Sequence, residues 1–222
     1  MARQVKVITA AEAAALIKNG DTVTTSGFVA SAIPEALDRA VEERFLATGE
    51  PRDITYVYCG SQGNKDGRGA EHFAHEGLLK RYIAGHWATV PALQKMALEN
   101  KMEAYNVSQG ALCHLFRDIA AHRPGCFTKV GLGTFIDPRN GGGKVNDVTK
   151  EDIIELVNIK GQDYLFYPAF PINVALIRGT YADESGNISF EKEVSPLEGT
   201  SVCQAVKNSG GIVVVQVEKL VK

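Results

Sequence analysis

"DTVTTSGFVASAIPEALDRAVEERFLATG", residues Asp21 to Gly49, decides the fold. Its opening alternates and is rich in Val and Thr, which suits a strand. Its second half carries apolar residues at helical spacing, with Pro34 at the first position of the helix. Between them "SGFVASAIP" is a strand-to-helix loop. The same order recurs along the chain. "TAAEAAALIKNG" reads as a helix after a short strand at Val5–Ile8, with Thr9 as N-cap, Glu12 at capping-box distance and Gly20 as its stop. "ITYVYCG" is a strand that ends in the polar glycine loop "GSQGNKDGRG". "AEHFAHEGLLKRYIAG" shows a helical period, and "VPALQKMALENK" is a helix before the strand "MEAYNVS". "GALCHLFRDIAAH" is helical and "FTKVGLG" approaches a second glycine-rich stretch. "YLFYPAFPINVALIRGTYAD" is strand-rich, "GNISFE" a strand after a turn, "TSVCQAVKNSGG" a helix and "IVVVQVEKL" a buried strand.

Alternation of this kind over the whole length indicates an α/β fold with a mainly parallel sheet flanked by helices. Right-handed crossovers then bring the strand C-ends to one edge, where such folds bind ligands. Three polar glycine loops follow strands, at residues 26–34, 60–69 and 131–143. The last begins "GLGTFIDPRNGGGKVN" and places five glycines in thirteen positions. So much bare backbone suits a phosphate cradle, a substrate loop or a linker. Its place after a strand favours a site. No repeat, low-complexity tract or linker boundary divides the chain.

The 222 residues carry a formal charge of −2, which gives no electrostatic reason to expect nucleic acid. No apolar run is long enough to span a membrane, and the N-terminus lacks the apolar core of a secretory signal. The four cysteines, Cys59, Cys113, Cys126 and Cys203, are scattered without a CxxC pair. They read as reduced thiols of a cytoplasmic protein, with no metal site expected.

Several residues invite a chemical role. The loop "SGFVASAIPEAL" offers backbone N–H groups and a helix N-terminus to a negative oxygen, without a Walker or GxGxxG pattern. Gln109 ends a strand and precedes Gly110 and a helix; its neutral amide can orient a carboxyl or thioester oxygen. His72 and His75, flanked by Glu71 and Glu76, hint at a metal face but lack a third ligand. Asp183–Gly186, "DESG", looks catalytic yet reads better as a tight turn. Arg178 suits either a buried ion pair or a substrate carboxylate.

"TTSGFVASAIPEAL", "YNVSQG", "KVGLGTFIDPRNGGGKVN" and "YADESGNISFE", in this order and spacing, resemble the N-terminal half of family I coenzyme A transferases. "GHWATVPAL" and "FIDPRNGGGKVNDVTKEDI" are most similar to the propionate (lactate, short-chain acyl) branch. The resemblance covers the whole chain. It implies a CoA-transferase (sugar-isomerase-like) α/β domain over residues 1–222 and a reaction that moves CoA between a short acyl-CoA and a free carboxylic acid. CoA is then a substrate, with no permanently bound cofactor. In that chemistry a glutamate attacks the acyl-CoA and passes through an anhydride to a glutamyl-CoA thioester. The resemblance assigns an oxyanion loop to Gly27, Phe28, Val29 and Ala30. It assigns substrate contacts to Gln109, Gly110, Gly131, Gly133 and Thr134, with the glycine loop walling the acyl pocket.

The same resemblance puts the nucleophilic glutamate in the C-terminal half, and Glu184 does not match it. The expectation is therefore a half that is inactive alone, with the catalytic half as partner and a homo-oligomer as the assembled form. Two other readings stand beside it: the first subunit of a two-chain transferase, and a non-catalytic sugar-phosphate-binding relative, for which Lys65 and Arg68 are the nearest basic residues.

Overall fold

The computed structural model describes residues 5–222. The Val/Thr run forms β1 (Thr22–Thr25) in the middle of a six-stranded sheet, between β2 (Ile54–Tyr58) and β8 (Val174–Arg178). β3 (Leu79–Ala84) and β4 (Glu103–Asn106) extend the sheet beyond β2, and β11 (Ile212–Gln216) closes the other side. All pairings in this sheet are parallel. Buried runs such as Val174–Ile177 are what a sheet covered on both faces requires.

The order β11-β8-β1-β2-β3-β4 reverses direction at β1. The helices α2 (Glu35–Thr48) and α3 (Pro91–Leu98) connect strands that step one way; α5 (Gly199–Asn208) connects β8 to β11, stepping the other. Right-handed crossovers then put α2 and α3 on one face and α5 on the opposite face. The helix α4 (Gln109–Ala120) packs along α5. Ligands of such sheets bind outside the strand C-ends where the order reverses, and here that point is the loop after β1.

The core is aromatic at its densest. Tyr56 of β2 and Tyr82 of β3 are register partners, stacked with ring centroids 5.3 Å apart. Phe73 leans on Tyr56 at 4.9 Å, and Trp87 meets Tyr82 edge-on at 4.7 Å. Burying each such side chain contributes about 1.5–3 kcal/mol.

Two smaller sheets flank this frame. β5 (Gly125–Thr128), β7 (Gln162–Pro168) and β6 (Glu155–Ile159) form an antiparallel sheet. β10 (Ile188–Ser189), β9 (Tyr181–Ala182) and β12 (Lys219–Leu220) form a short mixed one. β4 would be an open edge, but residues 143–149 lie along it. Asn106 N–H donates to the Gly143 carbonyl at 2.8 Å, and Val145 N–H donates to that of Ala104 at 2.9 Å. Ala104 N–H donates to the buried Thr149 hydroxyl at 2.7 Å.

Several elements differ from the sequence reading. The first helix, α1 (Ala10–Ala14), has the expected Thr9–Glu12 capping box but stops well before Gly20, and Val5–Ile8 joins no strand. Residues 70–84 hold a 3₁₀ turn (Ala70–Phe73) and β3 in place of a helix. Leu79 and Tyr82–Ala84 sink into the sheet while Lys80 stays exposed, so tertiary pairing overrides the local period. The "IVVVQ" run is an edge strand, half-buried rather than buried. The hairpin β6–β7 turns at Lys160–Gly161 in a stretch without an expected strand pair.

Thr149→Val keeps the side-chain shape and leaves the Ala104 N–H without an acceptor. The expected cost is about 1–3 kcal/mol, read as a lower urea midpoint with an unchanged slope. An unchanged midpoint would show that water replaces the hydroxyl.

Candidate functional site

The C-ends of β1, β2, β3 and β4 meet at two glycines. Gly60 follows β2, and a methyl built on it lies 3.0 Å from the Phe28 ring and 3.6 Å from the Gln109 amide nitrogen. Gly85 follows β3, and a methyl there falls 2.5 Å from the Cys59 carbonyl oxygen and 2.6 Å from the Gln109 Cα. No side chain fits against backbone at the distances of Gly85; at Gly60 the neighbours are side chains, and the Phe28 ring would have to give by a few tenths of an ångström. These two glycines bring the loop after β1 and the first turn of α4 to one place. Gly60 opens the polar glycine loop 60–69 already noted in the sequence, whereas Gly85 looks like an ordinary glycine at a strand end.

The loop after β1 is folded by its own hydrogen bonds. Phe28 and Ser31 exchange two backbone hydrogen bonds of 3.0 Å, with Val29 at a φ of 53° between them. Val29 N–H donates to the Ser61 carbonyl at 2.9 Å, and its own carbonyl accepts from Gly63 N–H at 2.7 Å. The Ser26 hydroxyl donates to the Ala32 carbonyl and accepts from Arg178 N–H at 2.8 Å, tying the loop to β8 at the reversal of strand order. The Gly27 N–H lies against the buried Tyr58 hydroxyl, whose pKa burial drives up. Of the four N–H groups from Gly27 to Ala30, that of Ala30 alone has no protein partner among the described residues. It is exposed, between Val29 and Ser31.

Gln109 is the first residue of α4, after the Ser108 N-cap, whose hydroxyl accepts from Ala111 N–H at 3.3 Å. Its side chain is exposed, and its amide has no hydrogen-bond partner among the described residues. Gly110 is the next residue, with open space around it. Ser108 and Gly110 share a cleft of about 590 Å³ with His114, Phe127 and Val130, next to Gly131.

The glycine-rich stretch is a folded wrap. Asp137 is fully buried, accepts from Gly133 N–H at 2.8 Å and is gripped by Arg139 at 2.6 Å and 2.9 Å. Arg139 first, then Gly133, holds the Asp137 carboxyl well below the ordinary carboxylate range. The Thr134 hydroxyl donates to the Gly131 carbonyl at 2.7 Å. Gly143, at a φ of 75°, passes so close to β4 that a methyl there would sit 2.8 Å from the Asn106 carbonyl oxygen. The stretch thus follows an antiparallel strand yet ends on the parallel sheet, three residues before Gln109. Gly131 packs against Leu165 and Ile136, Gly133 is held by Asp137 with open space beside it, and Thr134 is tied back to Gly131; none of these contacts is to Gln109.

The other candidates separate from this centre. Arg178 pairs with Glu193 at 3.0 Å. Asp183 accepts from Ser185 N–H, Asn187 N–H and the Asn187 amide, so "DESG" is a turn. His72 sits between Glu42 at 2.5 Å and Glu35 at 3.0 Å, and His75 reaches Glu42 at 2.6 Å. These carboxylates come from α2, which spacing around the histidines could not reveal. The Trp87 indole N–H donates to the Tyr105 carbonyl at 3.3 Å. Cys59 and Cys113, scattered in sequence, lie together beside Glu198. Burial pushes the Cys59 thiol up, which makes it a poor nucleophile at neutral pH. No helix among the described residues is long and apolar enough to cross a membrane.

This geometry is one of neutral donors at the reversal point of a parallel sheet, and comparison with known proteins gives it a family. The coenzyme A transferase family model matches residues 7–222, and the chain belongs to that family. It is 46% identical to caffeate CoA-transferase of Acetobacterium woodii, over 96% of this chain and 41% of that protein. It is 41% identical to acetate CoA-transferase YdiF of Escherichia coli K12, over 99% of this chain and 41% of that protein. The crystal structure of the acyl-CoA transferase YdiF from Escherichia coli O157:H7, in a thioester complex with CoA, superposes with a TM-score of 0.95 at 40% identity. That match covers 99% of this chain and 43% of the other. The chain therefore spans about two-fifths of the length of these relatives.

Gly85→Ala and Gly110→Ala separate close approach from mere glycine content. The first pushes a methyl into backbone on two sides and is expected to cost at least about 1–3 kcal/mol. The second adds a methyl in open space on a helix and is expected to be neutral or to stabilise by up to about 1 kcal/mol. Urea unfolding of both variants checks this, and equal effects would refute the contact at Gly85.

Proposed function

We propose that this chain is the N-terminal half of a short-chain acyl-CoA:carboxylate CoA-transferase of the propionate, acetate or lactate type. It supplies the donors that hold the reacting carboxyl, and the nucleophilic glutamate comes from outside residues 1–222, on the same polypeptide or on a second chain. The observation that carries this reading is the free amide of Gln109 held against Gly60, next to the loop that ends in the free Ala30 N–H. Both are uncharged donors. The thiol next to Gly60, Cys59, is pushed up by burial and is a poor nucleophile at neutral pH.

The chemistry fits such a set. A glutamate carboxylate attacks the acyl-CoA carbonyl, CoA thiolate leaves, and a mixed anhydride forms. The thiolate then attacks the glutamyl carbonyl, releasing the first carboxylic acid as its carboxylate and leaving a glutamyl-CoA thioester. An acceptor carboxylate reverses both steps. Each attack builds negative charge on a carbonyl oxygen, and preorganised N–H donors stabilise that charge. On this reading Ala30 N–H serves an oxyanion and Gln109 orients the carboxyl. Gly131, Gly133 and Thr134 shape the wall of the acyl pocket through the fold of their loop.

The chain alone is expected to show no turnover with propionyl-CoA and acetate. Completed by a C-terminal CoA-transferase half, it is expected to turn over with ping-pong kinetics. Turnover by the isolated chain that disappears in Glu184→Ala would overturn both the proposed division of labour and the turn role of Asp183–Gly186.

In the completed enzyme Gln109→Ala is expected to lower kcat on the order of 10²–10³-fold, about 2.7–4 kcal/mol, with a smaller effect on KM. A kcat within twofold of the parent, with the fold intact, would reduce Gln109 to a loop residue.

A further inference from the structure

We infer that Cys59, Cys113 and Glu198 form a binding site for a thiophilic divalent cation, with Zn²⁺ as the fitting ion. One donor atom from each residue lies within 4.8 Å of the other two. Two thiolates and a carboxylate are the donor set of a zinc centre with three protein ligands and one open position. Bonds of about 2.0–2.3 Å to each donor need only a modest inward movement from this spacing.

The three residues come from separate elements. Cys59 is buried directly after β2, and its carbonyl accepts the Gly85 N–H at 3.0 Å, so its backbone is fixed. Cys113 is on α4, one turn after Gln109. Glu198 occupies the N-cap of α5. The short carboxylate of an Asp would turn back there to cap its own helix, but Glu is not among the capping side chains. Glu198 makes no such bond, and its carboxylate has no ion-pair or hydrogen-bond partner among the described residues. It faces the two sulfur atoms instead. A carboxylate beside two thiols gains at most weak S–H hydrogen bonds from them, whereas a cation between the three would satisfy all of them.

A bound ion would fasten the end of β2, the first turns of α4 and the start of α5 to one point. That point lies under the place where Gly60 faces Gln109. The site would act on the geometry of Gln109 through α4, without touching a substrate. It is independent of the proposed transferase reading, since it needs only the fold.

The test uses the reduced 222-residue chain, stripped with chelator and titrated anaerobically with Co²⁺, then Zn²⁺. The expected result is one equivalent of Co²⁺ with a sulfur-to-cobalt charge-transfer band, erased by Zn²⁺. The band is expected to vanish in Cys59→Ser and in Cys113→Ser and to persist in Cys126→Ser and Cys203→Ser. Glu198→Gln is expected to weaken binding by more than about tenfold, the size of effect seen on losing even a partner outside the ligand set. Zn²⁺ is expected to raise the Tm of the parent and leave that of Cys113→Ser unchanged. Circular dichroism of the metal-free variants separates loss of binding from loss of fold, and the half-exposed Cys113 serves if Cys59→Ser unfolds. Absence of a thiolate band, or a band that survives Cys113→Ser, overturns the site. So does a chain that forms a Cys59–Cys113 disulfide on mild oxidation but takes up no metal when reduced.

Discussion

Close contact of bare backbone at the end of β3 is the constraint on which the site depends. Parallel strands run about 4.8 Å apart, and a helix that starts after one of them normally stands off by the width of a side chain. Gly85 removes that width. The Cys59 carbonyl accepts its N–H, and the Gln109 Cα rests where a methyl would otherwise be. The first turn of α4 is thereby drawn over the ends of β2 and β3. Gly60 does the same for the Phe28 loop. Remove either vacancy and the Phe28 ring and the amide of Gln109 no longer meet at Gly60.

The glycine-rich stretch solves a different problem. β4 is the last strand of the sheet, and its outer N–H and C=O groups need partners or water. Residues 143–149 supply them, partly with backbone and partly with the Thr149 hydroxyl. The chain reaches that edge from the antiparallel sheet through a wrap stiffened by the buried Asp137 and its Arg139 partner. Its glycines therefore serve approach and reversal of the chain. The cover on β4 and the placement of α4 are linked, because Gly143 bonds to Asn106 and α4 begins at Gln109.

Much of this was legible in the sequence where local chemistry and tertiary structure agree. Asp21–Gly49 reads as strand, loop and helix because a Val/Thr alternation, a glycine loop and an N-terminal proline all point the same way. The capping box at Thr9 and the turn at Asp183 were legible for the same reason: each is made by residues a few positions apart. The reading failed where long-range partners decide. Residues 79–84 carry a helical period, but Tyr82 has Tyr56 and Ala104 beside it and becomes a strand residue. The acids around His72 come from α2 and not from its flanks. Of the four cysteines that look scattered, Cys59 and Cys113 meet because the end of β2 and α4 meet. Gly60 and Gly85 are significant only through what presses on them, and spacing carries no trace of that.

The proposed chemistry also explains why an amide rather than a cation suits position 109. A guanidinium at the position of Gln109 would bind a substrate carboxylate strongly before any bond changes, and ground-state affinity of that kind does not raise kcat. It would also hold the nucleophilic carboxylate as an ion pair and lower its reactivity toward a carbonyl. A neutral amide offers less to a resting anion than a guanidinium does and keeps no competing charge near the nucleophile. Its value rises where charge moves onto one oxygen in a site from which water is shut out. Of the two arginines that line a cleft with Ala30, Arg178 is neutralised by Glu193 at 3.0 Å, and Arg68 has no ion pair among the described residues. On the proposed reading this half holds a carboxyl without activating it, the reactive carboxylate arrives from elsewhere, and the two complete the site only when they meet.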